Sequence, residues 1–163
     1  MANLKERDMN TQFPEIQSIL LDLDIILAST DNRDEVLLGV CELLDQRVAH
    51  YHWTGFYLVD DSEDHLVLGP YVGAPTDHVK IAFGNGICGQ VAVSNASRII
   101  QDVSLEDNYL SCSVNVNSEI VFPIQKDGKF VAELDIDSHE KAPFTHQDTV
   151  LLESICKKLS ELF

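Results

Sequence analysis

The sequence predicts an α+β fold, an antiparallel sheet with helices packed on one face. Three observations carry that expectation. Two stretches of helical period open the chain, hairpins with marked turn signals fill its middle, and a capped amphipathic stretch closes it. No internal repeat, low-complexity tract or linker interrupts the 163 residues. One domain over 1–163 is expected, with residues 1–13 as a flexible N-terminal segment.

Residues 14–29, "PEIQSILLDLDIILAS", place Ile16, Ile19, Leu20, Leu23, Ile26 and Leu27 along one helical stripe. "TDN" breaks that helix. Asn32, with Glu35 three residues later, reads as the cap of a second helix, "DEVLLGVCELLDQRVAH". The pattern then turns to strands. "WTGFYLVD" (53–60) and "HLVLGPYVG" (65–73) flank the turn "DSED", and "HVKIAF" is a third strand. "GNGICGQVAVSNAS" is a glycine turn running into a short helix, and "RIIQD" is a short strand. After a polar loop, "EIVFPIQ" and "FVAELDIDS" are joined by the hairpin signal "KDGK". Thr145 and Asp148 cap the last helix, "HQDTVLLESICKKLSEL".

Composition excludes several classes of function. The chain is 45% hydrophobic and 23% charged, which suits a folded domain. Its net charge of −16 and lack of Lys/Arg clusters oppose binding to nucleic acid or to anionic membranes. No apolar run approaches the ~20 residues that span a bilayer. The polar opening "MANLKERDMN" is unlike a signal sequence. A cytoplasmic location is expected.

The four cysteines, Cys41, Cys88, Cys112 and Cys156, form no Cys-X-X-Cys pair and have no histidine at ligand spacing. No metal site is expected. Cys41 and Cys156 fall on or beside apolar stripes and read as core thiols. "GNGICG" has the form G-x-G-x-x-G but lacks the βαβ context of a dinucleotide fingerprint. It presents Cys88 near a helix N-terminus, where a thiol pKa is expected to fall.

The last strand holds the clearest constellation. Alternation assigns Phe130, Ala132, Leu134 and Ile136 to one face, and Val131, Glu133, Asp135 and Asp137 to the other. Taken alone, the acidic row reads as a solvated sheet face. Glu119 changes the balance, because pairing through "KDGK" brings it near Asp135 or Asp137. Clustered carboxylates raise one another's pKa, and one that keeps a proton near neutrality can act as a general acid. Trp53, Gly55 and Tyr57 share a face and can wall a shallow apolar pocket, although any single aromatic reads better as core.

These residues resemble a family. "HWTGFYLV", "LVLGPYVG", "GNGICG", "SEIVFPI" with "KDGK", and "LDIDS" look like a GAF domain, related to the PAS fold, and most closely like the free methionine-(R)-sulfoxide reductases. The likeness spans roughly residues 15–160. It implies a six-stranded antiparallel sheet with helices behind and a ligand pocket in front, covered by the Cys112 loop. It implies Cys112 as catalytic nucleophile and Cys88 as its disulfide partner. Glu119, Asp135 and Asp137 would bind the substrate amine and assist the sulfoxide oxygen, with Trp53 and Tyr57 around the methyl group. It implies no metal or organic cofactor, and an external dithiol such as thioredoxin as reductant.

Three departures accompany the likeness. His78 stands where the family usually carries a third cysteine. "NYLSCSV" replaces a Gly-His-Ile-Ala-Cys-Asp pattern, so that Ser113 follows Cys112. Glu133 stands where a small apolar residue is usual. They leave a second reading, a GAF module that binds a small ligand or senses redox state in signalling without turnover. Apolar stripes on the terminal helices further predict a homodimer.

Overall fold

The computed structural model describes residues 13–110 and 114–163. The segment expected to be a flexible N-terminus falls outside them, Phe13 excepted. Four helices occur among the described residues: α1 (Pro14–Ser29), α2 (Arg33–Arg47), α3 (Gly86–Ser94) and α4 (His146–Leu159). The strands are β1 (Trp53–Val59), β2 (His65–Val72), β3 (Lys80–Ala82), β4 (Arg98–Ile100), β5 (Ser118–Lys126) and β6 (Lys129–Ser138). They form one antiparallel sheet in the order β3-β2-β1-β6-β5-β4. The expected element order holds, with a short 3₁₀ turn, Val103–Leu105, added after β4.

Helices α1, α2 and α4 cover one face of the sheet. Leu23, Leu37, Leu44 and Leu152 are fully buried there against Phe56, Ile120, Leu134 and Ile136. Each such side chain contributes ~1.5–3 kcal/mol by leaving water, so this face anchors the fold. Cys41 and Cys156 are buried in the same layer. Burial pushes both thiols well above the usual cysteine range. The short α3 lies on the opposite face, in a second apolar cluster with Trp53, Tyr57, Leu66, Ile81 and Val121.

The β5–β6 hairpin sets the register of the acidic row. Asp127 and Gly128 both take positive φ, 51° and 78°, as a two-residue hairpin turn requires. Two residues further, a bulge breaks strict alternation: Ile124 pairs with Ala132 but Gln125 pairs with Phe130. Phe130 therefore leaves the face of Ala132, Leu134 and Ile136 that alternation predicts. It packs on the α3 side, edge-on to Phe83 at 6.1 Å, and Val131 packs on the helix side.

Caps start two of the helices where the sequence predicts. The Asn32 side chain accepts from the amides of Asp34 and Glu35. Glu35 itself is held by the Thr30 hydroxyl rather than closing a capping box. At α4 the box is complete: the Thr145 hydroxyl accepts from Gln147 N, and Asp148 Oδ2 accepts from Thr145 N at 2.7 Å. The other oxygen of Asp148 accepts from Tyr51 Oη at 2.8 Å and meets His50 Nε2 at 2.7 Å. Burial raises the Asp148 pKa, but the Thr145 amide, Tyr51 and His50 outweigh it and hold the carboxyl below its usual value.

A carboxyl with a depressed pKa stabilises the fold above its unfolded pKa, and that stability is lost as pH falls through the folded value. Asp148→Ala removes the Asp148 arm of the capping box and leaves Tyr51 without its acceptor. Urea unfolding at pH 7 is expected to show a loss of about 2 kcal/mol, with a shallower decline below pH ~4 than in the wild type.

Candidate functional site

The acidic row of β6 is buried, not solvated. Glu133 and Asp135 are 0% exposed, Asp137 1% and Glu119 3%. The expectation of a solvated face fails because α3 and the β2–β3 connection lie across the pocket face of the sheet. Register pairs Glu119 with Asp137 and Val121 with Asp135 on one side of β6, and Trp53 with Asp137, Gly55 with Asp135 and Tyr57 with Glu133 on the other. Four carboxyls thus share one dry patch.

Glycines bring α3 down onto that patch. A Cβ at Gly89 would lie 2.7 Å from the Ala82 carbonyl oxygen, so only hydrogen lets the helix meet the end of β3. Gly86 takes φ +64°, and Leu110 packs directly against it. The exposed Asn108 ties the segment before residue 111 to the glycine turn, accepting from Gly86 N and donating to Gly84 O, both at 2.9 Å. Between these parts lies a cavity of about 10 Å³ bordered by Tyr57, His78, Cys88, Leu110, Glu119 and Asp135, room for about one water-sized sphere.

The Cys88 thiol donates to Glu119 Oε1 at 3.8 Å. Its position in the first turn of α3 does not lower its pKa, contrary to the sequence expectation. Burial pushes it well above the usual thiol value, and the neighbouring Asp135, Glu133 and Glu119 push it further. A helix terminus acts weakly where desolvation and three acids oppose it. Burial likewise raises Glu119 and Glu133, and lifts Asp135 to about 7. Glu119 Oε2 and both oxygens of Glu133 and of Asp135 have no hydrogen-bond partner among the described residues.

Of the residues singled out in the sequence, the fold brings together Cys88, Glu119, Asp135, Asp137, Trp53 and Tyr57. Tyr57 borders the cavity, with its hydroxyl on His78 O at 2.9 Å. Trp53 and Asp137 lie one step along the same face. The Trp53 ring covers Gly55 and stacks on Tyr71 at 5.4 Å. Cys112 lies outside the described residues. Sequence reasoning missed Asn108, Leu110 and the place of His78 in the cavity wall. None carries a local signal, because each acts through a partner distant in the chain.

The sequence of residues 30–162 matches the GAF domain family model. The chain belongs to the GAF domain family. Protein YtsP of Bacillus subtilis is 31% identical to this GAF domain over 96% of this chain and 95% of its own. The free methionine-R-sulfoxide reductase of Escherichia coli is 33% identical over 86% of this chain and 84% of its own. The free methionine-R-sulfoxide reductase of Neisseria meningitidis, solved in complex with its substrate, superposes with a TM-score of 0.86 at 31% identity, over 91% of this chain and 87% of that one. No helix among the described residues is long and apolar enough to cross a membrane.

The raised carboxyl pKa values set a pH dependence of stability. Each such acid stays protonated in the native state while the unfolded chain, with a pKa near 4, releases its proton. The stability this provides is complete below pH ~4 and is lost as pH rises through the folded value, at ~1.4 kcal/mol per pH unit for each carboxyl. For Asp135 the loss runs to about pH 7. Asp135→Asn is expected to reduce the fall in unfolding free energy between pH 5 and pH 7 by about 2 kcal/mol, read from urea titrations at the two pH values. An unchanged fall would mean that Asp135 is ionised in the native state.

Proposed function

We propose that this GAF domain reduces free methionine-(R)-sulfoxide to methionine. The observation that carries the reading is the buried cavity in which Cys88, Glu119 and Asp135 converge beside Tyr57, in a chain related to reductases of that name. A carboxyl that keeps its proton near neutrality can donate it to a basic oxygen, and one that ionises can pair with a positive charge. A zwitterionic amino acid sulfoxide brings both. Its ammonium pairs with the acids that ionise, and its S–O oxygen accepts a proton from one that has not. In the arrangement described the cavity has room for about one water-sized sphere, so the substrate must displace the Leu110 side chain from Gly86.

In this reading the Cys112 thiolate attacks the sulfoxide sulfur while Glu119 or Asp137 protonates the oxygen. Methionine leaves and the oxygen remains on Cys112 as a sulfenic acid. Cys88 then attacks that sulfur, its proton passing to Glu119, and water departs as the disulfide forms. An external dithiol such as thioredoxin restores both thiols by exchange. The steps sum to sulfoxide plus two thiols giving methionine, one disulfide and water. They need no metal or prosthetic group. Trp53 and Tyr57 wall the methyl group, and Asp135 holds the amine.

One observation favours a second reading, ligand binding or redox sensing without turnover. Cys88 is 5% exposed and its thiol is held neutral, which slows attack on any sulfur. Incubation with dithiothreitol and the separated R and S forms of free methionine sulfoxide decides between the two. Methionine release from the R form alone, abolished in Cys112→Ser, is expected. No release by the wild type leaves the binding module.

We also propose a homodimer. Leu21 and Ile25 on α1 are 64% and 68% exposed, an apolar strip that a second copy would cover. Light scattering at micromolar concentration is expected to return twice the 18.2 kDa chain mass; a monomeric mass rules it out.

A further inference from the structure

We infer that the cavity beneath α3 also binds one divalent cation of borderline softness, of the Zn²⁺ or Co²⁺ type, through Cys88, Glu119 and Asp135, and that the ion competes with any amino acid for the cavity. The sulfur of Cys88 and one oxygen each of Glu119 and Asp135 all lie within 4.8 Å of one another, and all three residues are buried. Cys88 Sγ and Glu119 Oε1 stand 3.8 Å apart. Bonds of ~2.3 Å to sulfur and ~2.0 Å to oxygen at a tetrahedral angle place two ligand atoms ~3.5 Å apart. Cys88 Sγ and Glu119 Oε1 are therefore within a few tenths of an ångström of a ligating separation, and an Asp135 oxygen lies within 4.8 Å of both.

Two independent observations point to an occupant. The first is the unpartnered oxygens. Glu119 Oε2 and both oxygens of Asp135 and Glu133 are buried without a hydrogen-bond partner among the described residues. Buried polar atoms without partners are few in native proteins and call for a bound water or ion. The second is size, because with Leu110 seated on Gly86 a cavity of about 10 Å³ has room for a single atom or water.

The donor set chooses the metal. A thiolate with carboxylates suits Zn²⁺ and Co²⁺ and disfavours Mg²⁺ and Ca²⁺, which take oxygen alone. No Lys or Arg among the described residues borders the cavity, so a dication would be the main compensating charge there. As the ion binds, the Cys88 thiol and any protonated carboxyl among its ligands release their protons to solvent, and no electron is transferred. The ligands come from α3, β5 and β6, which explains why no Cys-X-X-Cys spacing announces them.

The inference stands apart from the reductase reading, and its test reads metal alone. Protein reduced with a phosphine and freed of metal is titrated with Co²⁺. A thiolate-to-cobalt charge-transfer band in the near ultraviolet, saturating at one Co²⁺ per chain and erased by Zn²⁺, is expected. Cys88→Ser should lose the band, Cys112→Ser should keep it, and Glu119→Gln and Asp135→Asn should weaken Co²⁺ binding about tenfold or more. Circular dichroism of each variant verifies its fold, and the two carboxamide variants test the site if Cys88→Ser unfolds. Absence of a saturable band, survival of the band in Cys88→Ser, or its loss in Cys112→Ser overturns the assignment.

Discussion

The structure turns on the two faces of β6. Ala132, Leu134 and Ile136 must be buried, because three helices depend on them for a dry surface. Strand periodicity then forces Glu133, Asp135 and Asp137 onto the opposite side of the same strand. That side is also closed, by α3 and by the aromatic residues of β1. An isolated carboxylate in such a place is costly to keep charged, so burial raises the pKa values of Glu133 and Asp135. The helix face provides the stability that tolerates this.

The same desolvation governs Cys88. A thiol in the first turn of a helix is ordinarily activated, yet here it sits 3.8 Å from Glu119 and among three acids. The surroundings that weaken it as a free nucleophile make the cavity attractive to positive charge. An amino acid's ammonium and a divalent metal ion satisfy that demand in different ways, one by hydrogen bonding to the carboxylates and the other by replacing their protons. The proposed reduction and the proposed metal binding draw on one property, a surplus of buried anionic capacity with no Lys or Arg bordering the cavity among the described residues to offset it.

Backbone proximity, rather than side-chain bulk, shapes the cavity. Gly55 lies beneath the Trp53 ring, Gly86 receives Leu110, and Gly89 meets the carbonyl of Ala82. The side chain of Asn108 then joins the glycine turn to a segment more than twenty residues away. Glycine at these points lets a nine-residue helix close over the acids without a large connecting loop.

The sequence by itself determined the elements and their order. Caps at Asn32 and Thr145, the Asp-Gly turn between β5 and β6, and the helical stripes are local signals, and local interactions act on them. It also determined which acids share a face, because alternation and hairpin register follow from the turn. Only the tertiary structure decided that this face is buried, that Phe130 crosses to the α3 side at a bulge, and that Cys88 is held protonated. Each of those depends on what packs across the sheet from a distant part of the chain. A strand's own residues specify its two faces, but not whether water or a helix will cover them.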